Sequence, residues 1–119
     1  MKVQNYRQVE GREVVPGVIM RIVAGPDEGT PTFVMRVFEI QPGSAIPSHE
    51  HPWEHELFVI SGTGIFRSGD KDTPVKEGDA ITVLGDEPHS FTNTSNEILR
   101  IICVVPLVEG KMPGIPVSN

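Results

Sequence analysis

Short runs of β-branched and aromatic residues alternate along this chain with glycine and proline pairs. The pairs recur about every 8–12 residues, a spacing typical of all-β sandwiches and barrels, and the runs between them have the composition of strands. The predicted strands are residues 18–24, 32–41, 56–61, 64–67, 80–83, 89–94 and 97–105. No stretch of about 11 residues follows a helical period. We therefore expect an all-β fold with little helix, either a sandwich, a jelly roll or a small barrel.

The two ends of the chain have a less regular pattern than its middle. We predict one β-barrel domain over residues 14–106. Residues 1–13 form an N-terminal segment that could add an edge strand. Residues 107–119 form a proline-rich C-terminal tail, which is either mobile or laid on a neighbouring chain. Within the domain, residues 68–72 read Ser-Gly-Asp-Lys-Asp and predict the tip of a hairpin.

Composition and charge describe a small acidic globular domain. The chain has 119 residues, 38% of them hydrophobic, and a formal net charge of −6, which indicates one domain. An acidic chain without a run of lysine and arginine is not expected to bind nucleic acid. The longest apolar stretch, residues 101–108, contains Pro106. It is far shorter than the roughly 20 residues that span a bilayer, so we expect no membrane insertion.

The single cysteine excludes a disulfide within the chain, as expected in a reducing compartment. The first residues contain no apolar signal-peptide region. We expect a cytoplasmic protein.

The histidines are the most informative residues of the sequence. His49, His51 and His55 lie within seven residues, and His89 begins a later predicted strand. Residues i and i+2 of a strand share a face, so His49 and His51 can point to one place. Pro52 bends the chain, and a strand that starts near His55 can return to that place. Four neutral imidazoles that meet there would form a transition-metal site, whereas the alternative is four histidines with no shared role.

The spacing of these residues resembles the first sequence motif of the cupin family. Most cupins have a glutamate ligand where this sequence has His55. The matching residues are Gly43, His49, His51, His55 and Gly62, separated by five, one, three and six residues. The resemblance implies a double-stranded β-helix, that is, a jelly-roll barrel, which is usually dimeric and holds a metal near one mouth. The group most similar to this sequence is that of small single-domain bacterial cupins with a four-histidine metal site.

The second cupin motif is matched at its two ends. Gly78-Asp79 resembles its start, and His89 followed by Asn93 after three residues resembles its end. Its usual Pro-x-Gly does not occur at the family spacing, where this sequence has Gly85 and Pro88 instead. The departure concerns the local turn and leaves His89 as the expected ligand.

Glu56 is the rival of His55 for the third ligand of the first motif. The motif allows three or four residues after His51, and neighbours on a strand point to opposite faces, so only one of the two can bind. Because six residues separate His55 from Gly62, the spacing favours His55. The predicted ligands are therefore His49, His51, His55 and His89.

Strand alternation also predicts the walls of the pocket. Phe91 shares the face of His89, and Leu57 shares the face of His55. In similar small cupins a thiol at the position of Cys103 looks inward. Arg36, in an apolar strand, could orient an anionic ligand, although snorkelling or an ion pair is the commoner arrangement. The sequence identifies no general base, and the only candidates are Glu56 and Cys103.

Four neutral imidazoles suit one divalent transition metal per chain. We expect Mn or Fe, the former by resemblance, with Zn and Ni as alternatives. An octahedral ion would keep two open positions. We expect them to be cis, an arrangement that suits a bidentate oxygen ligand. We expect an enzyme that acts on a small oxygenated molecule, an oxygenase by resemblance. The alternatives are a non-redox isomerase or cyclase, and a non-catalytic binding or sensor module. The expected partners are a small-molecule substrate and, by resemblance, a second copy of the chain.

Overall fold

The computed structural model describes residues 1–113, which form ten strands and two short 3₁₀ helices. The 3₁₀ helices are Tyr6–Gln8 and Pro26–Glu28. The strands are β1 (Arg12–Val15), β2 (Val18–Ala24), β3 (Phe33–Ile40), β4 (Ala45–His49), β5 (His55–Ser61), β6 (Thr63–Ser68), β7 (Lys71–Lys76), β8 (Ala80–Val83), β9 (His89–Thr92) and β10 (Leu99–Pro106).

The strands form two antiparallel sheets. The larger sheet has the order β1-β2-β3-β10-β5-β8, and the smaller has the order β4-β9-β6-β7. One continuous hydrophobic core contains residues of both sheets, such as Phe38 and Ile101 from the larger and Phe66 and Phe91 from the smaller. The predicted all-β fold, a double-stranded β-helix or jelly-roll barrel, is confirmed.

Strict alternation decides which side chains enter the core. Along β10, Leu99, Ile101, Cys103 and Val105 are buried, while the residues between them are partly exposed. β10 pairs with β3 on one side and β5 on the other, so it forms the centre of the larger sheet. Side chains on the inner face of this sheet therefore lie next to one another across three strands.

Two strands, β4 and β7, are absent from the strands predicted as separate elements. β7 reads KDTPVK and buries only Val75, so it has no alternating apolar pattern. β4 contains Pro47 and β7 contains Pro74. Both strands lie at the edges of the smaller sheet, the position where proline does not remove a hydrogen bond that the ladder needs.

The ends of the chain lie beside this core. β1 is the edge strand of the larger sheet and begins at Arg12. After β10, Leu107 and Met112 pack against the core, and Val108 and Lys111 form an isolated bridge. The rest of the predicted proline-rich tail, including Pro116, lies outside the described residues. No helix in residues 1–113 is long and apolar enough to cross a membrane.

Candidate metal centre

The four histidines come from three strands and one connection at the same end of the barrel. His49 is the last residue of β4, His55 the first of β5 and His89 the first of β9. His49 and His89 are direct partners across the β4–β9 pair, and their ring centroids are 4.3 Å apart. The ring of His51 lies 5.0 Å from those of both His55 and His89.

His51 does not reach this cluster by strand alternation, as its spacing from His49 predicted. It lies beyond the end of β4, in the bend that leads to β5. Its backbone carbonyl accepts a hydrogen bond from the Asp86 amide at 2.7 Å, and its ring stacks on Trp53 with a centroid distance of 4.5 Å. The turn that contains Asp86 approaches closely because Gly85 has no side chain, since a Cβ there would overlap the Pro52 carbonyl. This turn is the place where the sequence departs from the usual second cupin motif.

Backbone carbonyls orient three of the four rings. Nδ1 of each ring donates a hydrogen bond to a carbonyl two residues away, because a carbonyl oxygen can only accept. The proton is thereby fixed on Nδ1, and the lone pair of Nε2 is free to bind a metal. The pairs are His49 with Pro47 at 2.8 Å, His51 with Trp53 at 2.7 Å and His89 with Glu87 at 2.7 Å.

His49, His51 and His89 form a group whose ligand nitrogens all lie within 4.8 Å of one another. His55 is not a member of this group, but its Nε2 lies 3.0 Å from Nε2 of His89, and its Nδ1 lies 3.1 Å from Sγ of Cys103. Without a metal, His55 satisfies both contacts by donating from Nε2 to His89 and accepting at Nδ1 from the thiol. With the opposite tautomer, two lone pairs face each other at 3.0 Å and require a cation between them.

The nitrogen separation fits such a cation. Two ligand nitrogens placed at right angles, each about 2.1 Å from one ion, lie about 3.0 Å apart. The donor set is made of imidazoles, which suit Zn, Cu, Fe and Ni. The residues therefore fit a divalent transition metal, with a core of three histidines and His55 beside it.

Burial lowers the pKa of His49, His55 and His89, which keeps these three imidazoles neutral at physiological pH. Desolvation, with the neighbouring rings His89 and His51, lowers the pKa of His55 to about 3. Desolvation also lowers the pKa of His89 to about 4, although its hydrogen bond to Glu87 opposes the shift. The pKa of His49 is lowered mainly by burial. Neutral imidazoles are the form that binds metals, so no deprotonation is needed first.

His49, His51 and His55 line a cavity between the two sheets that is partly open to solvent. Three of the four residues predicted to line the pocket do line it, namely Arg36, Phe91 and Cys103. Leu57 is buried in the core but does not line the cavity. Glu56 is exposed on the outer face of β5, so its carboxylate does not reach the histidines, whereas His55 is 4% exposed.

The remaining lining residues are apolar and were not predicted. Phe38 could have been found, because it lies two residues after Arg36 on the same face of β3. Strand alternation does not predict the other three apolar lining residues, because their positions depend on how the connections between strands fold. These residues are Ile46, Trp53 and Pro113. Cys103 lies between Arg36 and His55 and contacts both, and burial raises the pKa of its thiol.

A jelly-roll barrel with a cluster of imidazoles inside one end defines a class of small β-barrel proteins whose histidines could hold a metal ion. The sequence profile of the Cupin domain family matches residues 36–105. The chain belongs to the cupin family.

Two curated proteins share part of this sequence. An oxalate-binding protein of Thermotoga maritima is 35% identical over 71 residues, which cover 59% of each chain. Protein SchB of Streptomyces halstedii is 25% identical over 87 residues, which cover 72% of this chain and 63% of SchB. The matched stretches thus span about three fifths of the length of these relatives.

Two solved structures share the fold over most of its length. The polyketide cyclase RemF of Streptomyces resistomycificus superposes with a TM-score of 0.84 and 28% identity, covering 89% of this chain and 79% of RemF. A predicted oxalate decarboxylase of Thermotoga maritima superposes with a TM-score of 0.79, covering 90% of this chain and all of that one. Its identity of 23% makes it evidence for the fold alone.

Proposed function

We propose that this protein is a metal-dependent enzyme that acts on a small oxygenated molecule by oxygenase-type chemistry. His49, His51, His55 and His89 would together hold one divalent transition metal. The observation that supports this most is the set of Nδ1 contacts. Backbone carbonyls hold the rings of His49, His51 and His89 with Nε2 left free, and His49 and His51 line the cavity.

Each residue around the cavity has a definite part in this proposal. The carbonyls of Pro47, Trp53 and Glu87 fix the orientation of three rings. The sulfur of Cys103 would accept a hydrogen bond from Nδ1–H of His55. The lone pair of His55 Nε2 would then point towards His89. Phe38 and Phe91 keep water away from the reacting group. When bound, the metal supplies Lewis-acid chemistry, and redox chemistry if it is Mn or Fe.

We propose Mn or Fe as the resident metal, with Zn and Ni as alternatives. Imidazole suits Fe, Zn and Ni, whereas Mn is more often held by oxygen ligands and is proposed from the resemblance to small cupins. The affinities follow the general order of divalent metals, so availability in the cell decides among these ions. No thiolate or carboxylate of residues 1–113 lies in the group of close ligand atoms, which distinguishes the site from a structural zinc site.

Two other functions have support from the similar proteins. The likeness to the polyketide cyclase RemF favours a non-redox cyclase or isomerase at the same metal. The likeness to an oxalate-binding protein favours a module that binds a small ligand without turnover. Fold alone does not separate these possibilities, because cupins include enzymes and binding proteins.

Turnover with and without oxygen distinguishes the three functions. The protein, loaded in turn with Mn(II), Fe(II) and Zn(II), is incubated with small diketones, catechols and hydroxy ketones in air and under nitrogen. Oxygen consumption that disappears in a His51→Ala variant supports the oxygenase. Product formed equally under nitrogen supports the cyclase or isomerase, and binding without any product supports the binding module.

We also propose that the protein forms a homodimer through the outer face of its larger sheet. Phe33 and Met35 on β3 and Phe58 on β5 are 62%, 41% and 45% exposed. Through the strand register, Ile102 and Val104 of β10 lie between them on the same face. Burying such a patch against a second copy would remove it from water. Sedimentation should show a dimer, and Phe58→Glu should give a monomer with its metal content unchanged.

A further inference from the structure

We propose that the cavity binds a small carboxylate anion through the guanidinium group of Arg36. The inference rests on the proposed function, because it places the anion beside the histidines that would hold the metal. Arg36 lies in the middle of β3 with its side chain on the inner face of the larger sheet. It is 5% exposed and lines the same cavity as His49, His51 and His55.

The guanidinium group has almost no partners. Nη2 contacts Sγ of Cys103 at 3.1 Å, and Nη1 lies 3.9 Å from Sδ of Met20. Nε has no hydrogen-bond partner among residues 1–113. Within residues 1–113, no Asp or Glu carboxylate lies within 4.0 Å of it. An arginine has five N–H donors and keeps its charge. A buried charge with two weak sulfur contacts is unfavourable unless something else compensates it.

Other arginines of the chain show that this arrangement is particular to Arg36. Arg21 and Arg100 each pair with Glu39, at 3.1 and 3.0 Å, and Arg67 pairs with Asp72. These three arginines are at the surface or only partly buried, where an ion pair matters least. Arg7 and Arg12 are exposed to water and need no partner. Arg36 is the buried arginine, so it most needs an anion, and it has no carboxylate partner within residues 1–113.

The surroundings of Arg36 favour an anion from outside the chain. Its Cζ lies 5.1 Å from the centre of the Phe38 ring, which stabilises the cation but supplies no hydrogen-bond acceptor. Arg36 lines the same cavity as His49 and His55. Its charge is a minor cause, after burial, of the lowered pKa of both histidines. An anion placed between Arg36 and these histidines would interact with Arg36 and with the metal at once.

The shape of the group and of the cavity define the ligand class. The planar guanidinium fork matches the two oxygens of a carboxylate, and this pairing is stronger than a hydrogen bond between neutral groups. The cavity of about 20 Å³ is partly open to solvent, so one carboxylate group can lie beside Arg36 while the rest of a small acid extends towards the opening. A carboxylate on a very small carbon skeleton is therefore the ligand that fits.

Titration of the metal-free protein with oxalate, and with its neutral diamide oxamide, tests this inference. Calorimetry gives the affinities, and the NMR signal of the Arg36 side-chain Nε–H reports contact directly. We expect oxalate to bind at least about tenfold more tightly than oxamide and to shift that signal, as a charge-assisted hydrogen bond would. Equal affinities, or an Arg36 signal that does not respond to oxalate, would overturn the inference.

Variants separate Arg36 from the general charge of the protein. Arg36→Gln should weaken oxalate binding by about tenfold or more, and Arg36→Lys should lie between the two because it keeps the charge but loses the fork. Arg67→Gln removes the same charge from the surface and should leave the affinity unchanged. An Arg36→Gln protein that folds and still binds oxalate like the wild type would overturn the inference. If that variant does not fold, the comparison of oxalate with oxamide on the wild type decides.

Measuring metal uptake as well as oxalate binding separates a failure of this inference from a failure of the proposed function. Metal uptake is measured separately on the wild type and on Arg36→Gln. Oxalate binding that depends on Arg36 in a protein that takes up no metal supports the anion site and contradicts the metalloenzyme. Normal metal uptake with oxalate affinity independent of Arg36 contradicts the anion site alone.

Discussion

The charged side chains on the two faces of strand β3 have opposite surroundings. On the outer face, Glu39 accepts hydrogen bonds from Arg21 at 3.1 Å and from Arg100 at 3.0 Å, so three strands are joined by paired charges in contact with water. On the inner face, three residues further back, Arg36 is buried against sulfur atoms and has no carboxylate partner in residues 1–113. His55 lies on the same inner face, two strands away.

The difference indicates which residues serve stability and which serve binding. Paired, partly buried charges stabilise a sheet modestly and need no ligand. A buried guanidinium and a cluster of buried imidazoles reduce stability on their own, and the binding of the proposed metal and anion would offset this cost. Breaking each face in turn should therefore have different consequences.

The largest effect, a loss of metal affinity, is expected from replacing a histidine that faces the interior of the barrel. His51→Ala should lower metal affinity by about 100-fold or more, because it removes a ligand rather than a residue behind one. Glu56→Ala, on the outer side of β5, should leave the affinity within about tenfold. Competition with a chelating dye measures both. An equal loss in the two variants would contradict the assignment of the inner residues as ligands.

The metal-free protein should lose stability in mild acid because of the inner face. In the unfolded chain His55 and His89 take up protons near pH 6.5, whereas in the folded protein they do so only near 3 and 4. Between these values the unfolded state holds more protons, so the free energy of unfolding falls as the pH drops from about 6.5 towards 4. The slope is at most about 1.4 kcal/mol per pH unit for each histidine.

Urea unfolding of metal-free protein at several pH values measures this slope. A double variant, His55→Asn with His89→Asn, should flatten the curve over the same range. A wild-type curve that is already flat would show that the two rings are not held neutral by burial.

Removing a charge should change the free energy of unfolding in opposite directions on the two faces of β3. Arg36→Met should raise the free energy of unfolding of the metal-free protein by about 1–3 kcal/mol, since an apolar chain replaces a buried charge without a partner. Glu39→Gln should lower it by about 1 kcal/mol, since the two arginines lose the negative charge and one of the two acceptor oxygens. Thermal and urea unfolding measure both, and a destabilised Arg36→Met would mean that the fold needs this charge.

The smallest effect is expected at the cysteine between the two inner groups. Cys103→Ser should leave the metal content per chain unchanged, because a serine oxygen can accept the same hydrogen bond from His55. Elemental analysis of the purified variant measures this. Loss of the metal would make Sγ a ligand and the description by histidines incomplete.

Those features of the molecule that depend on local pattern could be predicted from the sequence. Strand alternation predicted the inward position of Phe91, and the resemblance to small cupins predicted that of Cys103. The spacing of glycine and proline predicted the all-β fold. β7 could not be found, because an edge strand with one buried residue, Val75, needs no apolar pattern.

Two features of the site depend on contacts between residues distant in sequence. One is the position of His51 beside the other histidines, and the other is the lack of a carboxylate partner for Arg36 within residues 1–113. His51 is placed by the Asp86 amide, 35 residues later, and by the space left at Gly85. Arg36 is left unpaired because Glu39, three residues away, lies on the other face and is shared by Arg21 and Arg100. Neither result follows from spacing alone, since both require the register of the sheets.

The central claim is that the inner histidines hold one metal ion, and the metal content of the purified protein tests it most directly. Mass spectrometry of the elements in tag-free protein, with the protein concentration measured independently, gives the metal per chain. The account predicts nearly one equivalent of a divalent transition metal, with Mn or Fe expected. Protein that contains no metal and takes none up from any of Mn(II), Fe(II), Zn(II) or Ni(II) would contradict it.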